Sequence, residues 1–182
     1  VSTLAGMDIR GQSSSNFPKK QYHLEIWDQE SRDRDLVWLG LPAESDWVLN
    51  GPYSDKSLMR NALSYQWARD TGHYAPRTRF IEMFLGEQSD ALRMSDYVGV
   101  YCLTEKIKIS PSRVDIAKLS PGDVDDPDIT GGYIIKKDKD PRYEDLHFIT
   151  DSGQNLIYAD PKGADLTEAQ QDWILSLIHI SE

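Results

Sequence analysis

Six residues near the start of the chain concentrate more chemistry than any other stretch. Arg10-Gly11-Gln12-Ser13-Ser14-Ser15 sets a cation, a flexible glycine and three adjacent hydroxyls side by side. Phe17-Pro18 then turns the chain toward Lys19, Lys20 and Tyr22 at the mouth of a strand. Backbone amides beside a glycine can approach an anion closely, and hydroxyls and cationic side chains complete its shell. Such a set suits an anion, a nucleotide phosphate first among them. The segment is neither a Walker loop nor G-x-G-x-x-G, so its pattern alone leaves a solvated surface turn open.

Three further places carry polar groups where chemistry is conceivable. Arg60-Asn61 falls in the first turns of an expected helix whose only acidic neighbours, Asp55 and Asp70, stand at its ends. Arg60 there serves a site or forms a structural salt bridge on an ordinary amphipathic helix. Glu105, beside Lys106 on an otherwise apolar strand, is either paired with a lysine or arginine in a site or stands at the strand's exposed end. The run Asp123-Val-Asp-Asp-Pro-Asp128 suggests calcium only superficially: it lacks the Gly and the closing Glu of a calcium loop and reads as a solvated acidic turn. His23, His73, His147 and His179 show no metal spacing, and neither G-x-S-x-G nor H-E-x-x-H occurs. The single cysteine, Cys102, excludes an intramolecular disulfide and a cysteine-built metal cage and reads as a buried small hydrophobe.

Composition bounds the answer. With 182 residues, 39% hydrophobic and 27% charged, the chain has the make-up of a folded globular protein. A net charge of −10 argues against nucleic acid, whose backbone demands a basic footprint. It does not argue against one nucleotide in a local pocket. No apolar run approaches the ~20 residues of a membrane span. The chain opens Val-Ser-Thr-Leu without Met or signal peptide and closes on an apolar-rich run without a glycine stop. Residues 176–182, Ser-Leu-Ile-His-Ile-Ser-Glu, resemble translated sequencing adapter and are expected to be a non-native tail; a helical tail that packs on a partner domain is the alternative. The chain is accordingly expected to be a fragment.

The elements that must position these residues follow from periodicity. Strands are expected at 4–10 and 21–28, where Tyr22, Leu24 and Ile26 alternate with polar positions. After a charged loop at 28–35 come a short apolar piece at 36–41 and a strand from Asp46 to the turn Asn50-Gly51-Pro52. Asp55 or Ser54 caps a helix over 56–69 with Met59, Leu63 and Trp67 as its apolar stripe, widened by Leu58, Ala62 and Tyr65 and stopped at Gly72. A strand at 78–85 is expected to turn Phe80 and Glu82 inward, with a hairpin connection at 86–95 leading to a long central strand at 97–107. A Pro- and Asp-rich excursion fills 110–128. Strands follow at 131–137 and near 147–150 and 155–158, and a helix resumes at 166 with Thr167 as its cap. Four to six antiparallel strands with one helix inserted early make an α+β fold.

Taken in order, these segments resemble one family. Arg10-Gly-x-Ser-Ser with Phe-Pro-Lys-Lys-x-Tyr22 is similar to the opening signature of the CotH family, spore-coat kinases with an atypical protein-kinase-like fold. The likeness continues through Leu39-Gly-Leu-Pro and Asp46-Trp-Val-Leu-Asn-Gly-Pro-Tyr-Ser-Asp-Lys-Ser-Leu-Met-Arg-Asn61. It extends through Tyr74-Ala-Pro, Gly99-Val-Tyr-x-Leu-Thr-Glu-Lys-Ile107, Arg113-Val-Asp-Ile-Ala-Lys118, Thr130-Gly-Gly-Tyr-Ile, Tyr158-Ala-Asp-Pro-Lys and Leu166-Thr-x-x-Gln, roughly residues 8–175.

The resemblance implies ATP-dependent, Mg²⁺-assisted transfer of phosphate to Ser or Thr of a protein, a spore-coat protein in the founding members. It implies a kinase-like small lobe, an antiparallel sheet with one inserted helix, and only the start of the C-terminal lobe, all within a partial domain over 1–175. The nucleotide would be held by Arg10, Gly11, Ser13 and Ser14 over the phosphates, by Lys19 or Lys20 as the phosphate-contacting lysine, and by Arg60 and Glu105. Arg60 would stand where ordinary protein kinases keep a Glu on the helix. One departure matters: the family's metal-binding aspartates lie in a Trp-Asp-x-Asp block preceded by Asn-x-Asp, and neither occurs in these 182 residues. The chain by itself is therefore expected to be inactive, with its catalytic residues unassigned. A non-catalytic coat or surface binding module of the same fold, or another nucleotide- or anion-binding α+β domain, are the alternatives. ATP and a coat or surface protein are the implied partners, with no nucleic acid and no membrane span. Spore coat, secretion and the cell surface all fit as locations.

Overall fold

A computed structural model describes residues 2–86, 91–137 and 146–180. The chain divides into two compact units, residues 1–107 and 108–182. The first holds β1 (Leu4–Arg10), β2 (Gln21–Trp27), β3 (Leu36–Trp38), β4 (Leu41–Glu44), β5 (Asp46–Asn50), α1 (Arg60–Asp70), β6 (Thr78–Phe84) and β7 (Tyr97–Glu105). The second holds β8 (Ile134–Lys137), β9 (His147–Ile149), β10 (Asn155–Asp160) and α2 (Glu168–Ile180). The α+β class read from the sequence is the class observed.

The first unit is built on a five-stranded antiparallel sheet of order β1-β2-β5-β7-β6. Because successive strand residues point to opposite faces, the register sorts its side chains into two sets. Tyr22, Leu24 and Ile26 share one face with Trp47, Leu49, Tyr101, Leu103, Ile81 and Met83, since Tyr22 pairs with Leu49, Leu49 with Leu103 and Leu103 with Arg79 beside Ile81. That face is the core: Ile26, Trp47, Leu49, Met83, Tyr101 and Leu103 are buried together with Leu41. The β3–β4 hairpin covers it, setting Trp38 edge-on to Trp47 with centroids 6.2 Å apart. The indole N–H of Trp47 donates to the Glu44 carbonyl at 3.1 Å, so its polar atom is satisfied.

The opposite face carries Asp8, Arg10, Gln21, His23, Asp46, Val48, Asn50, Cys102 and Thr104. Cys102 is buried, as read from the sequence, and burial pushes its thiol pKa up. Two expectations about orientation fail. In β6, Ile81 and Met83 turn inward, whereas Phe80 is 53% exposed and Glu82 faces out. Both alternations of that strand contain apolar residues, and an edge strand needs only one of them covered. In α1, the stripe Met59, Leu63 and Trp67 is 49%, 38% and 61% exposed. Its flank turns in instead: Leu58, Ala62, Tyr65, Ala68 and Arg69 are the partly buried positions.

The start of α1 also differs in detail. The chain makes a turn after Asp55, with Leu58 at φ +63°, before the helix begins at Arg60. Asp55 still caps it: its carboxylate accepts the Arg60 N–H at 2.9 Å, the Ser57 N–H at 3.0 Å and the Ser57 hydroxyl at 2.6 Å. These bonds, the Ser57 hydroxyl first, lower the Asp55 pKa. Gly72 at φ +84° stops the helix as expected. Residues 87–90 of the expected hairpin connection lie outside the described residues, and so do residues 181–182 of the suspected tail.

In the second unit, β8-β10-β9 form an antiparallel sheet over a cluster of Leu119, Tyr158, Leu166 and Ile174. Tyr133 and Trp173 stack on its margin, 5.6 Å apart. Thr167 caps α2 reciprocally with Gln170. The Gln170 N–H donates to the Thr167 hydroxyl at 3.4 Å, and the Thr167 N–H donates to the Gln170 side chain at 3.0 Å. The buried Gln170 carboxamide then donates to the carbonyls of Ser120 and Asp123, anchoring the acidic excursion.

Candidate functional site

The serine-rich loop joins β1 to β2. Gly11 sits at φ +92°, and a Cβ on it would fall 2.0 Å from the Ser14 hydroxyl, so the loop folds back over a position only glycine occupies without strain. A single 3₁₀ turn follows at Ser14–Asn16, with the Phe17 N–H donating to the Ser14 carbonyl at 3.1 Å. Ser15 donates its hydroxyl to the Gln12 carbonyl at 2.6 Å, while Ser13 faces solvent. The loop is thus held by its own short bonds.

The two lysines divide their work. The Lys20 ammonium donates to the Ser15 carbonyl at 2.8 Å and latches the loop to the head of β2. The Tyr101 hydroxyl donates to the Lys20 carbonyl at 3.0 Å, and burial pushes that phenol up to about 12, so it stays a neutral donor. Lys19 turns to β7: its ammonium donates to the Val100 carbonyl and lies 4.7 Å from the centre of the Tyr101 ring. Burial lowers its pKa.

Arg10 is the cation that remains. It closes β1 opposite Gln21, half-buried, and among the described residues it has neither a hydrogen-bond partner nor a carboxylate. Desolvation by burial lowers its pKa, and Tyr65 on the inward flank of α1 lies within electrostatic reach. A partly desolvated guanidinium with no carboxylate partner among the described residues is suited to an incoming anion.

Arg60 and Glu105 are placed elsewhere. Arg60 is exposed in the first turn of α1, 3.5 Å from the Asp55 carboxylate. Glu105 is buried at the end of β7 on the core face, opposite Trp47. Arg77 grips it: the Arg77 backbone N–H donates to one carboxylate oxygen at 2.8 Å, and its guanidinium lies 2.7 Å from the other. Of the two readings of Glu105, pairing with a cation is the one observed, and three residues of strand, about 10 Å, separate it from Cys102 in the Asn50 row.

Beside the loop opens a cleft of about 130 Å³ lined by Phe17, Gln21, Asn50, Tyr53, Asp55 and Asn61, among others. Gly51, one of its lining residues, lets the chain pack against β2 and β7: a Cβ there would fall 2.6 Å from the Lys20 carbonyl and 2.8 Å from the Tyr101 ring. None of Arg10, Gly11, Ser13, Ser14, Lys19, Lys20, Arg60 and Glu105 lines this cleft. The sequence singled out Asn61 beside Arg60 but not Gln21 or Asn50, although Asn50 sits inside the long block at 46–61 that carried the resemblance.

A model of the CotH kinase protein family matches residues 7–181, nearly the whole chain. The chain belongs to the CotH kinase family. No curated protein matches it. Membership of the CotH kinase family suggests a kinase-like function, and the family in general implies ATP and a metal. The residues described do not fit a metal by themselves. Among them no three His, Cys, Asp or Glu side chains converge, and the carboxylate lining the cleft, Asp55, is engaged by Ser57 and Arg60. Magnesium takes six oxygen ligands in near-octahedral order. No helix among the described residues is long and apolar enough to cross a membrane.

Proposed function

We propose that residues 1–107 are the nucleotide-holding lobe of an ATP-dependent protein kinase that moves the γ-phosphate to Ser or Thr of a coat or surface protein, and that residues 108–175 begin the second lobe. Arg10 is the phosphate contact. Gly11, Ser13 and Ser14 form the loop over the phosphates, Lys20 fixes that loop, and Lys19 adds positive potential from the β7 side. Arg60 is a second cation at the mouth of α1, and Glu105 acts through Arg77 as a structural pair. The observation that carries the reading is Arg10, a half-buried guanidinium with no carboxylate partner among the described residues, at the foot of a glycine–serine loop. Phosphoryl transfer depends on positioning and charge, which such a lobe supplies.

The Trp-Asp-x-Asp and Asn-x-Asp blocks that the resemblance assigns to the metal do not occur in the 182 residues, and on that ground the chain by itself is proposed not to transfer phosphate. The test is a phosphorylation assay with radiolabelled ATP, magnesium and casein as a generic acceptor. Robust magnesium-dependent labelling by the purified chain contradicts this. A non-catalytic coat or surface binding module has one observation in its favour, the exposed Met59, Leu63 and Trp67 on α1. Absence of ATP binding alongside intact folding would favour it.

A further inference from the structure

The cleft beside the loop has a lining that phosphate binding leaves unused. Gln21 and Asn50 stand side by side on the polar sheet face, and Asn61 reaches the same space from α1. None of these three carboxamides has a hydrogen-bond partner among the described residues. Asn50 is only 8% exposed. None of the three side chains' nitrogens or oxygens is among the atoms buried without a partner, so each can exchange water for an incoming group. Each carboxamide offers one acceptor and two donors, so together they suit a ligand with donors and acceptors in close alternation.

The rest of the lining chooses among such ligands. It contains no lysine or arginine and one carboxylate, Asp55, which disfavours a phosphate. Phe17 and Tyr53 already lie against each other, ring centres 5.1 Å apart, so no slot between them admits a nucleobase. The volume of about 130 Å³ falls well below the ~300–1,000 Å³ of a site that engulfs a drug-sized ligand. A single peptide unit with a small side chain meets all three conditions: it is neutral, compact, and offers an N–H and a C=O in fixed alternation.

We propose that this cleft grips the main chain of the polypeptide acceptor beside the phosphate loop. Its description as an acceptor rests on the kinase reading; the binding itself does not. The experiment follows the side-chain NH₂ resonances of Gln21, Asn50 and Asn61 in the ¹⁵N-labelled chain. Three probes are titrated separately: N-acetyl-Gly-Ser-Gly-amide, adenosine and inorganic triphosphate. The peptide is expected to shift the three carboxamides saturably, with a Kd of about 1 mM, and Asn50→Leu is expected to weaken it about tenfold or more. Asn61→Ala, at an exposed position, is expected to weaken it about threefold and carries the test if Asn50→Leu does not fold. Triphosphate is expected to move the Arg10 side chain and leave the carboxamides in place. Saturation of the carboxamides by adenosine or triphosphate but not by peptide overturns the proposal, as does peptide binding indifferent to both substitutions. If triphosphate fails to move Arg10 while the peptide still binds, the phosphate reading falls and the cleft stands.

Discussion

The two faces of the five-stranded sheet are made of the same strands and do opposite things. One buries Ile26, Trp47, Leu49, Tyr101 and Leu103 under the β3–β4 hairpin and leaves little polar behind. The other presents Arg10, Gln21, His23 and Asn50 toward α1, with a cation and carboxamides that find no partner among the described residues. The difference shows where an antiparallel sheet can keep chemistry. Period-two alternation lets every strand contribute to stability on one side while its neighbouring residues stay available on the other. A change on the core face should therefore alter folding and not ligand affinity, and a change on the polar face the reverse.

Trp47→Ala strains that contrast most. It empties a fully buried site and should cost about 3–5 kcal/mol, read as a lower urea midpoint, while any folded remainder binds ATP as before. Glu105→Ala comes next. It removes the buried carboxylate that Arg77 grips and should cost about 3 kcal/mol, the low end for a broken buried pair because Arg77 stays partly in water. If Glu105→Ala instead left stability alone and weakened ATP binding, Glu105 would belong with the polar face as a ligand.

Most of this architecture is legible in the sequence. Strand alternation at 21–27, the Asp55 cap, the Gly72 stop and the Thr167–Gln170 box are local signals with local physical causes. The rotation of α1 is not local. Apolar residues at 58, 59, 62, 63, 65, 67 and 68 wrap most of its circumference, and only the polar row beneath selects the side with Tyr65. Arg77, Gln21 and Asn50 were missed for a related reason, and Asn61 was noted only beside Arg60. Each is unremarkable in its own segment and gains its meaning from a residue 28 to 40 positions away, such as Glu105 for Arg77 or Gln21 and Asn61 for each other.

Smaller effects sharpen the comparison. Leu63→Ser and Trp67→Ser, on the exposed side of α1, should each change stability by no more than about 0.5 kcal/mol in urea titrations. Tyr65→Ala, on the inward side, should cost visibly more; equal costs would mean that α1 is rotated from the orientation described. His23 gives the smallest signal. Burial lowers its pKa below 6.5, aided by Arg10 and Lys106 and opposed by Asp46 and Asp8. Protonation therefore favours the unfolded chain. Its contribution is present in full above pH 6.5 and is lost as pH falls from there through the lower folded value. His23 is exposed enough that solvent mutes the effect, and His23→Gln should flatten the stability profile slightly across that window.

The most direct measurement is calorimetric titration of ATP into the chain and into Arg10→Ala and Lys20→Ala. Arg10→Ala removes the phosphate contact and Lys20→Ala releases the loop that covers it. Both should weaken binding about tenfold or more, as the loss of a charged hydrogen bond does, with urea midpoints little changed. ATP affinity unchanged in both variants would contradict the assignment of residues 10–20 as the phosphate-holding loop.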